Sequence, residues 1–254
     1  MPRWMDSLSV RAAILCGGEG KRLSPLTNYF QKTMIPIGSK RRPLLEYVVR
    51  LLVFHKIRDI TMLTGYKAEE IENYFDDGSR FDARINYSKD PARAVGSAGA
   101  LANAVSNGKI SACEDLIVYY GDILSNIDIT EMVRVHRLAK AGATLVLSKG
   151  FMLPVGVAEV SEGLVASVRE KPTYDISITT GNMIINRKAI SQLLKMSKKT
   201  QNDLMKNFIP LLLENDTKVA SYYVKEFWYD IGTVDKYLGL KDTMVEKHLG
   251  FLYR

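Results

Sequence analysis

Residues 12–37 read AAILCGGEGKRLSPLTNYFQKTMIPI. The stretch opens as a short apolar strand, Ala12-Ala13-Ile14-Leu15, and breaks at Gly17, Gly18 and Gly20. Lys21 and Arg22 follow at once, and Lys32 comes later. Glycine lets backbone N–H groups approach an anion closely, and successive N–H groups in a tight turn form a concave nest for one. A strand that ends in such a nest, with cations behind it, suits phosphates held at the carboxyl edge of a sheet. A flexible turn with solvated cations is the other reading that the glycines alone allow. Two familiar phosphate loops do not fit. The P-loop needs glycine where Leu15 stands and Ser or Thr where Arg22 stands. The dinucleotide fingerprint needs glycine where Leu23 stands.

Outward from this loop, strands and helices alternate, which predicts one layered α/β domain with a mostly parallel central sheet. Pro43–Ile57 reads as a helix, because proline suits a first turn and Leu44, Val48, Leu51 and Leu52 share a face. A strand over Ile60–Leu63, a helix over Ala68–Phe75 and a strand over Arg84–Tyr87 complete a βαβαβ opening, the unit that binds mononucleotides. VGSAGALANAV (95–105) reads as a glycine-bracketed loop entering an Ala-rich helix. That helix start either packs against the sheet or offers its free N–H groups to an anion. Leu116–Tyr120 is a continuous apolar run, expected to be a strand buried on both faces. Asp122 then falls just past its carboxyl end. A carboxylate there either caps the next turn or holds a hard cation such as Mg²⁺.

The second half is richer in strands. A helix over Asp128–Ala141 and a strand over Thr144–Ser148 lead to a hairpin, residues 155–168, turning at Glu162-Gly163. Ile178–Ile185 reads as a strand, Lys188–Lys195 and Asn202–Glu214 as helices, Lys218–Val224 as a strand, and Thr233–Lys247 as a closing helix. The rings of Trp228 and Tyr229 are expected in the core.

The chain has 254 residues, enough for a sizeable core, with 46% hydrophobic and 25% charged residues, ordinary for a soluble globular protein. No apolar run is long enough to span a bilayer, and no apolar signal core precedes the first strand, so a cytoplasmic protein without membrane partners is expected. Cys16 and Cys113 cannot make a disulfide framework, and His55, His136 and His248 fall in no metal-ligand spacing. The net charge of +7 comes from dispersed basic residues apart from Lys40-Arg41-Arg42 and Lys198-Lys199. With no nucleic-acid signature present, a phosphate pocket explains the balance better than a nucleic-acid partner.

The string GGEGKRLSPLT, then Gln31-Lys32, then MIPIG, resembles the signature of the sugar-phosphate nucleotidylyltransferases. These join a nucleoside triphosphate to a sugar 1-phosphate. VGSAGAL, Gly121-Asp122, Glu170-Lys171-Pro172, ITTGNMII and FWYDIGT resemble further family motifs in the family's order. The resemblance covers residues 11 to about 240. It implies a three-layer α/β/α Rossmann-like domain, with a nucleotide-binding half over about 11–125 and a sugar-phosphate half over about 126–240. Many members of that family also carry a C-terminal left-handed β-helix, and this chain is expected to end too soon for one.

Roles follow from the resemblance. Leu15, Gly17, Gly18, Glu19, Gly20, Lys21, Arg22, Gly96, Ser97 and Gly121 would bind the nucleotide. Gly156, Glu170, Lys171 and Thr179 would bind the sugar phosphate. Arg22, Lys32 and Lys171 would serve catalysis, and Asp122 and Asp230 would hold Mg²⁺. The implied reaction takes a nucleoside triphosphate and a hexose 1-phosphate to an NDP-sugar and pyrophosphate. An NDP-sugar-using glycosyltransferase and a silent nucleotide-sugar sensor are the alternatives, and a homo-oligomer is left open. The sequence departs from the family pattern at Cys16, Gln31, Val95, Ser97, Thr179 and Met183. Gln31 stands where proline is usual, which is expected to loosen the approach to Lys32. Thr179, Met183 and the Asp90–Val95 segment, which replaces the more usual Glu- or Gln-containing lead into the glycine loop, leave the base and the sugar open.

Overall fold

Strand β1 (Val10–Leu15) lies inside a seven-stranded sheet in the computed structural model, which describes residues 10–90, 96–196, 202–225 and 227–253. Val95 and the Lys198-Lys199 pair lie outside the described residues. After β1 come the short helix α1 (Leu26–Tyr29), the bridge strands β2 (Pro36–Ile37) and β3 (Arg42–Pro43), and α2 (Leu44–Phe54). Then follow β4 (Asp59–Thr64), α3 (Ala68–Phe75), β5 (Arg84–Lys89), α4 (Gly96–Ser106), β6 (Asp115–Tyr120), β7 (Ile123–Ser125) and α5 (Ile129–Leu138). The second half adds β8 (Ala143–Met152), β9 (Val157–Ser161), β10 (Leu164–Arg169), β11 (Thr173–Asn186), α6 (Arg187–Lys195) and α7 (Ile209–Glu214). It finishes with β12 (Val219–Tyr223), β13 (Trp228–Asp230), α8 (Val234–Gly239) and α9 (Asp242–Leu249).

The sheet order is β12-β8-β11-β6-β1-β4-β5. β1 runs parallel to β4 and β6, and β4 to β5, whereas β11 is antiparallel to both its neighbours. Two apolar clusters cover the two faces. Ala12 and Ile14 of β1 with Ile117 and Tyr119 of β6 belong to one, and Ala13 with Leu116 and Val118 to the other. Alternate residues therefore serve opposite layers, which is why these strands read as unbroken apolar runs. The three-layer α/β expectation holds.

Local chemistry sets the boundaries. Pro43 precedes α2 instead of opening it, because its extended backbone pairs with Pro36. Asp128 caps α5 by accepting the N–H of Glu131 (2.9 Å). The Glu162-Gly163 turn has both φ angles positive, 51° and 81°, the geometry that matches the twist of a hairpin. Two expected helices are interrupted. The segment 202–214 begins as a π-turn (Leu204–Phe208) before α7, since Pro210 has no N–H for the carbonyl four residues back. The closing helix divides into α8 and α9 where Leu240 turns into the core after Gly239. Among the described residues, no helix is long and apolar enough to cross a membrane.

Candidate active site

The carboxyl ends of the parallel strands are tied together by backbone bonds. Cys16 N–H donates to Leu63 O (3.0 Å), Gly121 N–H to Leu15 O (3.0 Å), Tyr66 N–H to Gly17 O (3.0 Å) and Asp90 N–H to Thr64 O (2.8 Å). A cavity of about 400 Å³ opens at this edge, lined by the Gly17-Gly18 turn, Lys32, Asp90, Ser97, Tyr120 and Asp122 among others. Gly17 must lack a side chain there: a Cβ would lie 2.6 Å from the Asp90 carboxylate and 3.1 Å from Gly65 N. Gly20 takes the left-handed φ of +65° that turns the loop back over Lys32. Among the described residues, no acceptor takes the N–H of Gly17, Gly18, Glu19 or Gly20. These are the donors a phosphate cradle needs.

Lys32 Nζ contacts the Asp122 carboxylate, with side chains 15% and 19% exposed, so the pair sits at the mouth with little water around it. Asp230 carries Lys236 at 2.9 Å. The two aspartates are distant in sequence, yet β13 pairs antiparallel with β7 so that Asp230 faces Ile123, and Ile231 N–H donates to Asp122 O (3.0 Å). Arg22 reaches the same corner: its guanidinium lies 3.5 Å from where a Gly232 Cβ would stand. Two carboxylates on adjacent backbone, each already holding a cationic side chain, are a hard-oxygen donor set that fits Mg²⁺.

Asp90 is the residue that the motif reading named only as part of a variable segment. Its half-buried carboxyl is pushed up to about 6 by burial, and the carboxylate has no hydrogen-bond partner among the described residues. Its place directly after β5 is the signal that could have found it, since ligands bind beyond the carboxyl ends of such strands.

Several expectations need correction. Gln31 does not loosen the approach to Lys32. Its side chain is fully buried, and its amide bonds to Cys16 O, Gly18 O and Thr33. At the start of α4 the packed alternative is the one realised. The Asn202 carbonyl takes the N–H of Ala98 (2.9 Å) and Gly99 (3.4 Å), and the Ser97 hydroxyl donates to Asp203 (2.7 Å). Gly96 and Ser97 nonetheless line the cavity. Trp228 and Tyr229 are only half-buried: Tyr229 packs against the edge of one core cluster and gives its O–H to the Lys236 carbonyl (2.7 Å).

Lys21 is exposed and pairs with Glu19 at 3.0 Å. Gly156, Glu170, Lys171 and Thr179 are exposed and do not line the cavity. Glu170 does lie against Gly156, 3.1 Å from where a Cβ would be. Thr179 accepts the N–H of Gly181 (3.0 Å), and Met183 is buried in the core.

A mainly parallel sheet, a glycine turn with unclaimed N–H groups and a lysine–aspartate pair define a Rossmann-like α/β protein whose sheet edge carries donors and charges suited to phosphate. The sequence pattern of the family described as "Nucleotidyl transferase" matches residues 11–247, and the chain belongs to that family. It is 30% identical over 244 residues to a UTP–glucose-1-phosphate uridylyltransferase of Synechocystis sp., covering 90% of this chain and 61% of that protein. The chain thus spans less than two thirds of that relative. It is 31% identical to a D-glycero-alpha-D-manno-heptose 1-phosphate guanylyltransferase of Aneurinibacillus thermoaerophilus, covering 90% of this chain and 95% of that protein. HddC from Yersinia pseudotuberculosis, solved with GMP-PN, shares the fold at TM-score 0.69 and 19% identity, covering 92% of this chain and 99% of that one.

Proposed function

We propose that this chain joins a nucleoside triphosphate to a hexose 1-phosphate, releasing pyrophosphate and an NDP-sugar. The observation that carries the reading is the Lys32–Asp122 pair at the mouth of the cavity, beside the glycine turn. The sugar-phosphate oxygen attacks the α-phosphorus in line and pyrophosphate leaves. That oxygen is already an anion, so the protein needs no general base. The task is to bring two polyanions together and to stabilise the leaving charge, which is work for positioning and electrostatics.

The Gly17–Gly20 amides and Arg22 hold the β- and γ-phosphates. Lys32 leaves Asp122 for the α-phosphate, and Lys171 anchors the sugar phosphate. Asp122 and Asp230 would hold Mg²⁺, which when bound polarises the phosphate oxygens. The part of the residues at the strand edge is to keep their charges aimed at one point before the substrates arrive.

The base we assign is guanine. Guanine offers two adjacent N–H donors, N1–H and N2–H₂, which fit the two oxygens of a carboxylate such as Asp90. Uracil and thymine place one N–H between two carbonyls, and adenine and cytosine place an acceptor beside their amino group. The relatives include uridylyl-, cytidylyl-, guanylyl- and adenylyltransferases, so the assignment rests on the carboxylate of Asp90 alone.

The test is pyrophosphate release from five nucleoside triphosphates against glucose, mannose and heptose 1-phosphates, with and without Mg²⁺. We expect Mg²⁺-dependent release, fastest with GTP. No release from any pair would remove the transferase reading; preference for another base that persists in Asp90→Asn would remove the guanine assignment.

A further inference from the structure

Gln31 has no part in the chemistry above, yet every hydrogen-bonding capacity of its side chain is used. Nε2 donates to Cys16 O (2.6 Å) and Gly18 O (3.4 Å), and Oε1 accepts Thr33 N–H (2.5 Å) and Thr33 O–H (2.7 Å). A primary amide has two donors and two acceptor lone pairs, so all four are accounted for. The backbone N–H of Gln31 donates to Glu70 Oε2 (2.6 Å) on α3.

The partners fall into groups that chain connectivity does not join closely. Cys16 and Gly18 belong to the turn whose amides face the cavity, while Thr33 follows Lys32 in a 3-10 turn over Lys32–Met34. Lys32 therefore stands between Gln31, which carries the amide, and Thr33, which is bonded to it twice. The side chain is 0% exposed, so water does not compete for these bonds. Gln31 has φ −60°, the value a proline would adopt. A proline here would keep that backbone angle but supply neither the amide nor the N–H for Glu70.

We propose that Gln31 is a positioning residue that locks the glycine turn and Lys32 into one register, so that the phosphate-binding amides and the lysine converge on the same triphosphate. The inference rests on the nucleotidyl-transfer reading for its catalytic readout. Its binding readout needs only that the cavity takes a nucleoside triphosphate. Glutamine is suited to the place and glutamate is not, because a carboxylate would set acceptors against the carbonyls of Cys16 and Gly18.

The experiment compares wild type with Gln31→Met, which keeps the length without hydrogen bonds, and Gln31→Pro, which keeps φ. Melting temperature, GTP binding by calorimetry without sugar phosphate, and kcat and KM for both substrates are read for each. We expect both variants to fold, to bind GTP about tenfold more weakly and to lose kcat about 30-fold, with KM for the sugar 1-phosphate within twofold of wild type. Thr33→Val, which removes one of the four side-chain bonds, should give an intermediate loss of kcat and affinity, and it serves if the Gln31 variants fail to fold. Wild-type GTP affinity and kcat in folded Gln31→Met, or in Thr33→Val, would overturn the proposal. If wild type releases no pyrophosphate with any substrate pair, the transferase reading fails, and Gln31 is still judged by the GTP-binding arm.

Discussion

The carboxyl edge of β1 and β6 and the β9–β10 hairpin carry two parts of one family signature, and they are built in opposite ways. At the edge, Lys32 and Asp122 are mostly shielded, Gln31 is fully buried, and backbone bonds tie β1 to β4 and β6. On the hairpin, Ala158, Val160, Val165 and Val168 share an exposed face, while Glu159 and Arg169 pair on the other at 2.9 Å. A two-stranded ribbon standing alone is marginal in water. The edge is therefore ordered before any substrate arrives, whereas the segment carrying Gly156, Glu170 and Lys171 has few contacts to fix it. Under the proposed reaction, part of the binding free energy of a sugar phosphate would go into ordering that segment.

The largest effect should come from the ordered side. Asp122→Asn removes the charge proposed to hold Mg²⁺ and the partner of Lys32, and kcat/KM should fall about 10²–10³-fold, about 2.7–4 kcal/mol. Steady-state pyrophosphate release with saturating Mg²⁺ measures it, and a loss below threefold would show that the edge is not where charge is stabilised. On the open side, Lys171→Ala should raise KM for the sugar 1-phosphate about tenfold, about 1.4 kcal/mol, with GTP affinity and melting temperature unchanged. An equal fall in GTP affinity would mean that the two regions are not separate.

Asp90→Asn tests the electrostatics of the edge. Burial raises its carboxyl to about 6, above the usual carboxylate range. Folding thus favours the protonated form, and the contribution of the group is lost as pH rises through about 6. The Asn variant should be about 1 kcal/mol more stable than wild type at pH 8, after allowing for partial solvent exposure, and equal to it near pH 4. Urea denaturation at the two pH values reads this difference, and a destabilised variant at pH 8 would contradict the burial argument. The smallest effect belongs to the hairpin. Leu164 is 75% exposed, so Leu164→Ser should change global stability by less than about 0.5 kcal/mol. A larger cost would reveal packing that the exposed ribbon does not have.

Much of this was legible in the residues. Ala12–Leu15 and Leu116–Tyr120 are buried strands because unbroken apolar runs suit a sheet covered on both faces. Ala68–Phe75 has the helix bounds its periodicity predicts. Where the reading slipped, a local rule met a tertiary demand. Gly239 and Leu240 break the closing helix because Leu240 has a core site to fill. The opening of α4 allowed two readings, packing or anion binding, and only the Asn202 carbonyl, remote in sequence, decides between them by claiming two of the free N–H groups. Gln31 looked like a weakened proline because its partners, Cys16, Gly18 and Glu70, are invisible to a motif read in order.

The sequence by itself determined the α/β layering, the glycine turn and the types of charged group near it, because periodicity, turn chemistry and apolar runs are local properties. Only the tertiary structure decided which of those groups meet. The β7–β13 ladder sets Asp230 beside Asp122, the end of β5 sets Asp90 against Gly17, and one buried amide ties Lys32 to the glycine turn. Each of these contacts joins residues far apart in the chain through strand pairing or desolvated hydrogen bonds. Such contacts depend on the complete packed sheet, and no local pattern encodes them.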